Sequence, residues 1–203
     1  MTEQTTQKKY ELLKDDTVEY FGITLYRIKA LITFGLVGAG QLGGYIETEK
    51  NLDHSDNAWV HGNAQVYGNA RVYGNARVYG NACVYDNARV YGNAQVYGNA
   101  RVYGNAWMCG NARVYGNAQV FGNAWVRSLA VISERKMIFW ASNVGSENGT
   151  LTVFNGKFGL IVTRGCFTGT VDEFLSKSKE VHDDKTHHEY KLLIEVAQSR
   201  ILN

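Results

Sequence analysis

Proline does not occur among the 203 residues, and cysteine occurs three times, at Cys83, Cys109 and Cys166. An odd number of cysteines at unrelated spacings gives neither a disulfide framework nor a zinc motif. Charge is also sparse: 20% of residues are charged and the net charge is +2, too mild by itself to demand a nucleic acid or a membrane. No apolar run approaches a membrane span, and the opening MTEQTTQKKYELLKDD lacks the apolar stretch of a signal peptide. A reducing, cytoplasmic compartment is therefore expected. No Ser-His-Asp set and no pair of carboxylates stands out.

What the sequence has in excess is 22 glycines and 13 tyrosines. From Asn57 the dipeptide Asn-Ala recurs every six residues, giving twelve units of consensus Asn-Ala-x-Val-Tyr-Gly over residues 57–128. Ala and Val lie two apart and point to one side of a short strand, while the variable residue points to the other. Gly-Asn is expected to supply the positive φ of a tight corner. A helix would carry one Gly per unit, at about 1 kcal/mol each, and six residues do not return to one helical face. Stacking each strand on the strand one coil below pairs nearly every backbone group, which also explains why proline is absent.

An aliphatic residue followed four positions later by a small one, as in Val66 and Ala70 or Val72 and Ala76, is similar to the hexapeptide repeat of left-handed parallel β-helices. That resemblance implies a left-handed, three-sided coil of 18 residues and hence four coils, roughly 19 Å tall. The expected fold is mainly β: an N-terminal β cap (1–56), the parallel β-helix (57–128) and a small α+β region (129–203) ending in two helices.

Positions 18 apart then stack in columns. The first face carries Trp59, Arg77, Gln95 and Arg113 beside His61, Tyr79, Tyr97 and Tyr115. The second carries Gln65, Cys83, Arg101 and Gln119 beside Tyr67, Tyr85, Tyr103 and Phe121, an unbroken aromatic column that is the expected surface for a homo-oligomer such as a trimer. Self-stacking is the plainer role for such a ladder. The third carries Arg71, Arg89, Trp107 and Trp125 beside Tyr73, Tyr91, Cys109 and Arg127. The repeats hold six arginines against the single acid Asp86. Arginine beside aromatic rings holds phosphates, so Arg71, Arg89, Arg127, Trp107, Trp125, Tyr73 and Tyr91 form the candidate ligand-binding set. Arginine as a soluble spacer between tyrosines is the plainer alternative. No duplex-DNA motif is present.

At the ends, TVEYFGITLYRI, ALITFGLVGAG and GGYIETEKNL read as strands. Gly38, Gly40 and Gly43 spell G-x-G-x-x-G but lead into the solenoid rather than a helix, which argues for a bend and against a dinucleotide site. LAVISERKMIFWASNV and GTLTVFNGKFGLIVTRGCFTG read as strands after the repeat stops at Ser128. Thr170 to Glu173 forms a capping box for a helix to about Val181. A second helix is expected from about Thr186 to Leu202, with Leu192, Leu193, Val196 and Ile201 on or near one face. His182, Asp183, Asp184, His187 and His188 read as a solvated loop, with no metal and no cofactor expected. GQLGGYIETEKNL entering NAWVHGNAQVYGNA, and RGCFTGTVDEF before a His-containing tail, resemble bacteriophage and prophage proteins. That resemblance implies a viral accessory protein in the cytoplasm of a bacterial host, and it transfers no catalytic residue.

These features favour a non-enzymatic oligomer that binds and sequesters a host component, either a defence protein or an anionic nucleotide signal. One alternative is a CoA-dependent acyltransferase, which many left-handed β-helices resemble. Its only candidate bases near the coils are His54 and His61, read as solvated, and no loop interrupts the twelve units. A virion fibre component is the other alternative.

Overall fold

A computed structural model describes residues 7–203. Each of the twelve repeat units contributes one two-residue strand, from β4 (Trp59–Val60) to β15 (Trp125–Val126). Every strand pairs in parallel with the strand 18 residues away, as Gln95 with Arg77 below and Arg113 above. The coil is therefore three-sided, and the protein is a parallel β-solenoid with three stacked faces. The Ala and Val of every unit point inward and are fully buried, with Met108 replacing one Val.

The corners show how the repeat works. Positive φ belongs to the Gly position alone: Gly98, for example, has φ +70°, and a Cβ there would lie 3.0 Å from the Gly116 nitrogen. Asp86 and Ser128 take that position in two units and keep φ at 58° and 56°. Asn does not adopt positive φ, contrary to expectation. Its side chain instead forms ladders, with Asn57 Nδ2 donating to Asn75 Oδ1, Asn75 to Asn93 and Asn93 to Asn111. A second ladder runs from Asn69 through Asn87 and Asn105 to Asn123 and ends on Ser142. An amide carries both a donor and an acceptor, so it can bond upward and downward at once, which explains Asn in every unit.

The solenoid is longer than four coils, extending to about five turns. Below, β3 (Leu42–Ile46) pairs with Gln65–Val66, and Leu52 bridges to Val72. Gly44 takes the Ala position there, because a Cβ would come within 2.5 Å of the Ala64 carbonyl oxygen. Above, β16 (Val131–Ile132) pairs with Arg113–Val114. Residues 129–134 thus act as a thirteenth unit that keeps the Ala and aliphatic positions and loses Asn, Tyr and Gly.

The N-terminal cap is a hairpin of β1 (Tyr10–Tyr20) and β2 (Ile23–Ala30) that continues the second face through β3. Of residues 30–40, expected as a strand, Ala30 ends β2 and the rest form a loop with one bridge, between Phe34 and Val37. This cap covers the bottom of the first face. Trp59, expected outside, is fully buried among Tyr10, Phe34 and His61. Lys9 is buried too, its Nζ donating to the carbonyls of Ser55, Asp56 and Ala58 at 3.3, 3.4 and 3.0 Å. His54 is not a free surface histidine. It stacks on Tyr10 at 4.3 Å, and its Nδ1 accepts the Lys9 backbone N–H at 3.2 Å.

The upper end carries an antiparallel sheet of β17 (Ile138–Val144), β18 (Gly149–Gly156), β19 (Gly159–Arg164) and β20 (Phe167–Thr170). It is fastened to the coils by Thr152 Oγ1, which accepts the Trp125 N–H, and Thr163 Oγ1, which donates to the Trp125 carbonyl at 2.7 Å. Helix α1 (Val171–Val181) starts at the expected capping box: Thr170 Oγ1 accepts the Glu173 N–H, and Glu173 accepts the Thr170 N–H. Helix α2 (Asp184–Leu202) buries Tyr190, Ile194, Ala197 and Ile201. Of the four residues expected on one face, Ile201 is buried and Leu193 packs against the same core, while Leu192 and Val196 are half exposed, so the stripe is only partly the one expected. Of residues 182–188 only His182 and Asp183 lie between the helices, and the rest belong to α2. Asp183 caps α2 by accepting the Thr186 N–H, and His187 within that helix bonds Ser178.

Burial makes stability depend on alkaline pH. It pushes the phenols of Tyr67, Tyr85 and Tyr91 up, Tyr85 to about 12 and Tyr67 further still. It also lowers the Lys9 ammonium to about 8, against the attraction of Asp53 and Asp56. Between pH 8 and about 10 the unfolded chain holds the Lys9 proton that the fold has released, so stability rises with pH. Above about 10 the unfolded chain sheds tyrosine protons that the fold retains, and stability falls. The urea midpoint is expected to be highest near pH 9.5 and clearly lower at pH 11.5. An unchanged midpoint at pH 11.5 contradicts this.

Candidate functional site

The third face brings together all seven residues of the candidate ligand-binding set. Arg71, Arg89, Trp107 and Trp125 lie in register on adjacent strands. Beside them Tyr73 and Tyr91 stack at 4.8 Å with planes 3° apart, followed in the column by Cys109 and Arg127. Trp107 and Trp125 stack at 5.2 Å. The Arg89 guanidinium carbon sits 4.8 Å from the Trp107 ring centroid, and that of Arg127 sits 4.5 Å from Trp125. Arg71 lies more loosely over Tyr73, at 5.9 Å.

This geometry changes what the rings can do. The two indoles lie against each other and beneath guanidinium groups, so their faces are substantially taken up. Their contribution is to hold flat, weakly hydrated cations in place. Among the described residues, Arg71, Arg89 and Arg127 make no ion pair with a carboxylate.

Two further cations flank the face, and the repeat register could not find them. Lys50 lies beside Arg71 in an open depression of about 630 Å³ lined also by Glu47, Thr48, Gly68 and Asn69. Arg164 lies at the other end, with Trp125, Gly149 and Thr150 around a hollow of about 220 Å³. Lys50 sits in a stretch without the hexad and Arg164 on a β-hairpin, so only the folded chain places them. The acids near this face lie at its bottom. Glu47 accepts the Gly68 N–H at 2.7 Å. Burial would raise the Asp53 carboxyl, but bonds from Ser55, with Lys9 and Arg71 nearby, hold it below its usual range.

On the second face Tyr67, Tyr85, Tyr103 and Phe121 stack at 4.9–5.0 Å with planes within 4° of parallel. Tyr20 extends the column below and Trp140 closes it above. The ladder therefore stacks on itself, and its ring edges remain outward. Cys83 beside it is half-buried, which raises its thiol. On the first face His61 borders a depression of about 330 Å³ with Arg77, Tyr79 and Gln95. Burial, then the Arg77 charge, holds its imidazole below the usual range.

The coils match the family described as YdcK Beta solenoid repeat in seven overlapping stretches, residues 64–80, 70–84, 76–92, 82–95, 94–110, 108–121 and 112–128. The match stays within the solenoid and includes neither end of the chain. No curated protein sequence matches. The chain is a β-solenoid repeat protein. Among the described residues, no helix is long and apolar enough to cross a membrane.

Proposed function

We propose that this solenoid is a non-enzymatic binding protein that captures an anionic nucleotide on its third face, as an accessory protein of bacteriophage origin that sequesters a host signal. The observation carrying this reading is the row of guanidinium groups, held by indole and phenol rings and without carboxylate partners among the described residues. Phosphate oxygens match such groups in charge and in hydrogen-bond geometry. Because the indole faces are engaged, recognition falls mainly on the phosphates, with the base at the ring edges.

Acyl transfer is the competing reading, and less supports it. His54 Nδ1 is occupied by a backbone N–H, and the depression beside His61 is walled only by side chains of the coils, with no inserted loop to close it. The second-face ladder is proposed as the contact between copies in a homo-oligomer, since its outward ring edges run unbroken from Tyr20 to Trp140.

ATP titration read by tryptophan fluorescence tests the function. Trp107 and Trp125 are half-buried on the proposed face, whereas Trp59 is buried beneath the cap. A saturable change is expected that disappears in the Trp107→Phe, Trp125→Phe double variant. Its absence in the unmodified protein overturns the reading.

A further inference from the structure

A further cavity lies in the C-terminal module between the β19–β20 turn, α1 and α2, with a volume of about 370 Å³. Its walls are aromatic. Phe167 packs edge-on to Phe174 at 5.3 Å, Phe174 edge-on to Tyr190 at 5.2 Å, and His182 lies 5.5 Å from Tyr190. Its volume and apolar lining are those of a small-molecule pocket.

One cation enters this aromatic wall. Arg164 Nε donates to Tyr190 Oη at 3.0 Å, and one terminal nitrogen donates to the Val144 carbonyl at 3.4 Å. A guanidinium has five N–H groups, so three are left without a protein acceptor among the described residues. Its position is set by Gly149, where a Cβ would come within 2.5 Å of the guanidinium carbon. Among the described residues no carboxylate pairs with it. Glu147 lines the pocket without an ion pair to Arg164, and Glu189 is engaged by the Gly145 N–H. The other cation on the wall, Lys177, is paired with Glu180 at 3.2 Å.

We infer that this pocket binds a small aromatic carboxylate, its ring among Phe167, Phe174 and Tyr190 and its carboxylate on Arg164. A half-buried guanidinium without a counter-ion favours a charge-assisted, bidentate partner, and the rings favour a planar apolar body. The inference rests on this pocket alone, which shares Arg164 and Gly165 with the hollow beside Trp125 at the end of the third face.

The test is titration of phenylacetate, and of its neutral counterpart phenylacetamide, into the full ¹⁵N-labelled chain. Saturable shifts are expected at Phe167, Phe174 and Tyr190, with phenylacetamide at least tenfold weaker. Arg164→Gln is expected to weaken phenylacetate at least tenfold and to leave phenylacetamide unchanged. No saturation, equal binding of acid and amide, or shifts confined to the third face would each overturn the inference. The acid–amide comparison uses the unmodified protein, so it decides the matter even where Arg164→Gln fails to fold.

Discussion

Val96→Asp is expected to leave the chain unfolded at neutral pH, while Gln95→Asp, one residue away, is expected to fold. Val96 is fully buried between Val78 and Val114 in the central coils. An unpaired carboxylate there costs several kcal/mol even after relaxation. A domain of this kind has a total stability of about 5–15 kcal/mol. The solenoid also offers no local escape, because each coil is the floor of the next and a lost layer exposes two others. Gln95 points outward between Arg77 and Arg113 on the first face, so an acid there meets two cations. Far-UV circular dichroism and urea titration read both variants. A Val96→Asp protein with a native spectrum and a near-normal midpoint would refute the inward assignment of the Val column.

The second large effect concerns the third face. Replacing Arg71, Arg89 and Arg127 together by Ser is expected to weaken ATP at least a hundredfold without unfolding the protein. Each hydrogen bond to a charged group contributes about 1.5–3 kcal/mol, so losing even two of them reaches that factor. These side chains leave the fold's own ion pairs untouched, which is why stability is expected to hold. Because the indole faces are engaged, inorganic triphosphate is expected to compete nearly as well as ATP, and binding should weaken steeply with salt. Isothermal titration at two salt concentrations measures all three. A triple variant within threefold of the unmodified protein would remove the face from the account.

Much of this was legible in the sequence because the period is strict. Asn-Ala every six residues fixed which side chains point inward, and the 18-residue coil placed Arg89 on Arg71 and Trp125 on Trp107 before any coordinate was known. The coil count came out short because unit boundaries were read from Asn, Tyr and Gly. The inner Ala and aliphatic positions, which the packing needs, persist in Ala130 and Ile132 and in Gly44 and Ile46. Trp59 was misplaced because its column is outward in later coils, and only the fold of the cap over the first coil makes it core. On α2 the apolar residues are spread around the helix. Sequence spacing alone could not decide between Leu192 with Val196 and Tyr190 with Ile194. The period places the third-face residues on one side of the coil but not their arrangement: guanidinium over indole depends on side-chain rotamers, which a period does not specify. Arg164 and the C-terminal pocket lie beyond the repeat and carried no signal.

Capture of a phosphate-bearing ligand on the third face can be read without any added ligand, by native mass spectrometry of protein purified gently from bacterial cells. The expected result is a homo-oligomer carrying a co-purified phosphorylated small molecule, absent from the Arg71, Arg89 and Arg127 triple variant. A protein free of ligand, or one whose ligand survives in that variant, would contradict the claim, and a bound host protein in its place would direct the search to a polypeptide target.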